Sequence, residues 1–232
     1  MPKRAAILII ALSALFTCAV TYPAAAYLKQ FTFNEPNALD KWSNMLLNGR
    51  VDYILMRYGN NGYIEALSDK TCSALYYRLG FKLRDYPLLS WKWRVLKFPD
   101  ISKAATEKER EDYAARIYVI FPFLTFSSSK FIEYIWAEDL PIGTIKTSPA
   151  GNNIKQIVAR SGKMEGAQWV VENRNVYEDY VAAFGKKPTM NAGAVAIMCN
   201  ADNSKSSAGA LFDDITIGTG SETIDLTGKG GR

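Results

Sequence analysis

The 232-residue chain contains no histidine. That removes every histidine-based catalytic triad and the commonest zinc ligand sets. Cysteine is scarce too, three in all, so any bound metal is expected to be a hard, oxygen-ligated ion such as calcium. Catalysis, if any, would run on carboxylates, Tyr, Lys or Arg. No block of like charge is present: 28 Lys and Arg face 23 Asp and Glu. Without a basic run to track phosphates, no nucleic-acid partner is expected. There is no internal repeat. Past the amino terminus no apolar stretch reaches the roughly 20 residues of a membrane-spanning helix.

The amino terminus reads as a processing signal. Lys3 and Arg4 precede an apolar run from Ala5 to Val20, and Ala24, Ala25 and Ala26 form a small-residue cleavage site. Residues 1–26 are therefore expected to be a signal peptide, with the mature chain periplasmic or extracellular. Cys18 follows Thr17, where a lipobox wants Gly or Ala, so lipidation is not expected. In an oxidising compartment Cys72 and Cys199 either form a disulfide or stay two separate buried thiols. Residues 27–217 read as one domain and 218–232 as a flexible Gly-rich tail.

What the chain has in quantity is aromatic residues and short alternating segments. Roughly ten such segments with turn signals between them predict an all-β fold, an antiparallel two-sheet β-sandwich of jelly-roll type. The turn Gly59 to Gly62 marks a hairpin, its Asn and Gly residues suiting positive φ. One segment breaks the pattern. Val176, Tyr180 and Phe184 are spaced by four, Asn175 and Glu178 form a start signal, and Gly185 a stop, which predicts one short helix.

The stretch from Leu88 to Phe121 carries the clearest alternation. Trp91, Trp93 and Val95 point one way and Lys92, Arg94 and Leu96 the other; further on, Asp112, Arg116 and Tyr118 share a face. If the two halves pair as neighbours, Arg94, Asp112 and Arg116 form an Arg, carboxylate, Arg cluster of the kind that grips acidic ligands. A structural ion pair stitching strands together is the competing reading. Trp91, Trp93, Trp136 and Trp169 either stack on sugar rings or fill the core. In the late loop, Asp202 and Asn203 offer oxygens, and with Asp214 they make a candidate calcium set, against the reading of an Asx-rich turn. Glu133, Glu138, Asp139 and Asp112 are acids by residue type only; paired-acid glycoside chemistry would need two of them across a cleft.

Taken in order, WKWRV, EDYAARIYVIF, EYIWA with PIGT, RSG, QWVVENRNVYEDYVAAFG, AIMCNADN and FDDI resemble an uncharacterised family of secreted bacterial proteins, domain of unknown function 3047. The resemblance runs from about Trp42 to Ile217 and implies a β-sandwich like those of carbohydrate-binding modules. Its pattern falls on Trp91, Trp93, Arg94, Asp112, Arg116, Trp136, Arg160, Trp169, Arg174, Asp179, Asp202, Asn203 and Asp214. Glu111 and Asn200 depart from it, each standing where the family usually has Asp, and the second weakens a calcium site. No catalytic mechanism comes with it. The expectation is a non-catalytic carbohydrate binder using Arg94, Asp112, Arg116, Tyr118 and Trp136, with a structural calcium at Asp202, Asn203 and Asp214. A carboxylate-based polysaccharide hydrolase or lyase and an envelope assembly protein are the alternatives.

Overall fold

The computed structural model describes residues 27–163 and 168–219. The expected signal peptide (1–26) and nearly all of the expected tail lie outside the described residues.

Alternation makes the strands, and pairing sorts them into two sheets. The first sheet contains β1 (Tyr27–Phe31), β3 (Asp52–Tyr58), β4 (Asn61–Asp69), β6 (Leu88–Lys97), β11 (Val170–Asn175) and β13 (Ser207–Gly218). Its order is β11-β6-β13-β4-β3, with β1 also on β13. β13 is thus shared along its length: Ser207 to Phe212 pair with β4, and Ile215 to Gly218 pair with β1 on the same side. At the changeover the ladder to β6 shifts register between Asp213 and Thr216, and Asp214 takes a positive φ of 48°. This is a bulge, which re-aims the two aspartates.

The second sheet holds β2 (Trp42–Asn48), β5 (Cys72–Phe81), β7 (Arg116–Phe121), β8 (Lys130–Ala137), β9 (Ile145–Thr147), β10 (Ile154–Ser161) and β12 (Ala192–Asn200), ordered β2-β5-β12-β7-β8-β10-β9. All its pairings are antiparallel except β8 with β10, which run parallel. The predicted helix is α1 (Val176–Phe184), capped by the Asn175 side chain and closed by Gly185 at φ 67°. The β3–β4 hairpin turns through Gly59, also at positive φ.

The tryptophans seal the two sheets together. Trp91 and Trp93 of the first sheet are fully buried and meet Tyr134 and Trp136 of the second at ring separations of 5.2 and 5.5 Å. Burying such rings removes the largest apolar areas the chain has to offer, each worth several kcal/mol. Core filling, not sugar stacking, is the role of Trp91, Trp93 and Trp136.

One expectation is corrected here and one open choice is decided. The halves of the Leu88–Phe121 stretch do not pair: β6 lies in one sheet and β7 in the other. Cys72 and Cys199 are free thiols. Cys199 faces the core between the sheets, whereas Cys72 sits with Ala74 and Met198 on the sheet's outer face, so the two side chains point apart across it. No disulfide can form from that arrangement. Burial pushes both thiols up to about 12.

Candidate functional site

The outer face of the seven-stranded sheet is built in rows, because residues in register on neighbouring strands stand side by side. One row runs Ser43, Tyr76, Ala196, Tyr118, Glu133, Gln156, Lys146 across all seven strands. Tyr76 and Tyr118 flank the small Ala196, leaving a notch between two aromatic side chains. The row below it places Ala74, Met198 and Arg116 in line. Together they floor an open trough of about 530 Å³, with Met45 and Leu47 on one rim, Phe126 and Ile154 on another, and Asp202 and Asn203 at one end.

Buried charges close off that end. Arg116 is 5% exposed and reaches Glu133 at 2.5 Å, the Tyr118 hydroxyl at 3.3 Å and the Glu111 carbonyl, with its guanidinium 4.7 Å from the Tyr113 ring. The Gln156 amide nitrogen donates to both carboxylates, 2.7 Å to Glu111 and 3.1 Å to Glu133, and Lys146 pairs with Glu111 at 2.5 Å. Two cations thus balance two carboxylates. Burial alone would lower the Arg116 pKa, but Glu133, Tyr118 and Glu111 outweigh it and hold the group firmly charged. Burial, reinforced by Glu133, raises Tyr118 well above its ordinary value and keeps its hydroxyl a neutral donor. Arg116 Nε and Gln156 Oε1 have no hydrogen-bond partner among the described residues. Both atoms are closed to solvent.

The expected site divides. Arg116 and Tyr118 line the trough. Arg94 and Trp136 line a different cavity, of about 780 Å³, at the other edge of the sandwich, and the Trp136 indole donates to the Gly162 carbonyl at 3.0 Å. Asp112 is buried and fully engaged. It accepts from the Asn200 and Asn203 side chains at 2.5 and 3.0 Å and from the Ser204 backbone and hydroxyl, both at 2.6 Å. Its work is to fasten the loop after β12.

The candidate calcium ligands do not converge. Asp202 accepts from Asn48 and Asn200, Asn203 hydrogen-bonds Asp112, and Asp214 lies along β13 in the opposite sheet, paired with Lys92 at 2.6 Å.

Sequence reasoning missed Tyr76, Ala196, Glu111, Gln156 and Lys146. Alternation in EYIWA does set Glu133 on the face opposite Trp136. Gln156 and Lys146 had no such signal, since their neighbours are fixed by the parallel β8–β10 and antiparallel β9–β10 pairings.

The family model described as Protein of unknown function (DUF3047) matches residues 40–216. The chain belongs to this family. Among curated proteins, none matches it at the sequence level. Among solved structures, the DUF3047 chain is similar to a cellulase derived from Cel12A of Rhodothermus marinus, at 11% identity, TM-score 0.47, covering 83% of this chain and 96% of that one. It is also similar to the xyloglucanase domain of NopAA from Sinorhizobium fredii, at 11% identity, TM-score 0.43, covering 77% and 93%. A third is the family 11 carbohydrate-binding module of the cellulase Lic26A-Cel5E of Clostridium thermocellum, at 9% identity, TM-score 0.42, covering 79% and 91%.

Proposed function

We propose that this DUF3047 protein binds carbohydrate without transforming it, in the trough on the outer face of the seven-stranded sheet, and that it does so outside the cytoplasm. The observation that supports the reading is the row Tyr76, Ala196, Tyr118, Glu133. A notch between two tyrosines takes the apolar face of a pyranose, while Asp202 and Asn203 offer polar partners to hydroxyls at one end. The test is calorimetry against a panel of neutral and acidic oligosaccharides. Ala196→Trp fills the notch and is expected to weaken binding by about a hundredfold, the loss of one well-packed subsite. A well-folded protein that binds no member of the panel would sink the proposal.

The bridging of Glu111 and Glu133 by Gln156 favours a second reading. One amide nitrogen touching both acids sets them within the roughly 5–10 Å that paired-acid glycoside chemistry uses. Both acids are buried against cations, Glu133 on Arg116 and Glu111 on Lys146, which supports a structural role instead. Reducing-sugar release that disappears in Glu133→Gln would reverse that preference.

A further inference from the structure

The connection between β7 and β8 carries three exposed apolar side chains on a hydrogen-bonded scaffold. Phe123, Leu124 and Phe126 are 58%, 89% and 59% exposed. Around them Thr125 and the following serines bond among themselves: the Thr125 amide donates to Ser128 Oγ at 2.9 Å and the Phe123 amide to Ser129 Oγ at 2.9 Å. Asn153, from the start of the neighbouring strand, donates to the Phe126 carbonyl at 2.8 Å. The polar groups are thereby satisfied inside the loop, and the apolar ones are held outward. A fixed apolar tip of this kind costs solvation in water and marks a contact surface.

Charge says what the contact is. Lys130, in register with Phe121, and Lys155 both approach the Phe184 ring, at 5.0 and 5.9 Å. Lys186 and Lys187 follow that ring directly in the chain and are exposed. The start of β12, into which this segment leads, is also close to the tip, since Gly193 abuts Pro122. Among the described residues none of these four lysines forms an ion pair. Apolar side chains at a tip with unpaired lysines beside them match the boundary between acyl chains and anionic headgroups. Leu124, the most exposed of the three, offers a sugar ring no aromatic face.

We propose that this end of the sandwich docks on an anionic lipid surface, with Phe123, Leu124 and Phe126 entering the bilayer boundary and Lys130, Lys155, Lys186 and Lys187 facing phosphates. Phe126 also rims the trough and is the one side chain shared with the carbohydrate reading. It is tested in the full chain with Leu124→Trp, read by quenching with brominated acyl chains, and with Leu96→Trp near the far end of β6 as the comparison. The vesicles are phosphatidylcholine alone or mixed with phosphatidylglycerol. Quenching is expected at position 124 but not at 96, only in the mixed vesicles, and weaker at high salt. Lys186→Glu with Lys187→Glu is expected to cut partitioning more than about tenfold. Equal quenching at both positions, or quenching at 124 that ignores lipid charge and both lysine reversals, would overturn it. So would tight binding to a soluble acidic polysaccharide with no quenching on vesicles.

Discussion

Asp213 is a buried carboxylate with weak support from cations. It lies at the bulge in β13, where the Asp214 amide donates to it at 2.7 Å and Asn61 only at 3.4 Å, and the cation nearby, Lys92, is taken by Asp214. Burial, then repulsion from Asp214, pushes Asp213 up to about 7. An unfolded aspartate titrates near 3.9. Between those values the folded state holds its proton more tightly, so stability falls as pH rises from about 4 to about 7 and stays lowered above that. Asp213→Asn is therefore expected to stabilise by about 2 kcal/mol at pH 8 and by little near pH 4. Melts at the two pH values check this, and an equal gain at both would refute it. Arg116 behaves in the opposite sense. Its removal strands Glu133 at 1% exposure without a counter-ion. Arg116→Met alone is expected to cost about 3–5 kcal/mol, and adding Glu133→Leu to recover much of it, by denaturant titration.

The helix is the element most plainly written in the sequence. A capping Asn, an acidic residue three positions on, a four-residue apolar repeat and a terminal Gly all specify α1, and all four are seen in place. Gly185→Ala puts a Cβ on a left-handed residue and is expected to lower stability by about 1 kcal/mol, read as a small fall in Tm. Strands were legible in another sense. Alternation in Leu88–Lys97 separates Trp91 and Trp93 from Lys92 and Arg94, and burial follows that division. What alternation cannot supply is the identity of the neighbouring strand. Asp112 and Arg116 read as partners for Arg94 because they come next in sequence, yet the connection after β6 crosses to the other sheet. The real partner of Arg116, Glu133, comes from β8 through an antiparallel pairing, and Gln156, which bridges Glu133 to Glu111, comes from β10 through a parallel one.

For the molecule as a whole, two sheets closed over tryptophans and tyrosines leave the cysteines redundant as staples. Cys72 and Cys199 occupy opposite sides of one sheet, with their thiols pushed up to about 12 by burial, so thiolate is scarce at pH 8. Neither is expected to take a maleimide label before denaturant is added, nor is Tm expected to respond to reducing agent. Peptide mapping of the labelled protein decides it, and modification of either residue in the native state would contradict the arrangement.

β13 sets the order in which this molecule can be made. It is the latest strand in the chain among the described residues and also an interior strand of the first sheet, with β6 on one side and β4 then β1 along the other. Until residue 218 has left the ribosome, β6 and β4 have an open slot between them and β1 has nothing to pair with. The sheet can close only once β13 is available, through contacts between distant parts of the chain, and such closures are slow. A chain of this design keeps its first sheet open until that late strand arrives to fill it.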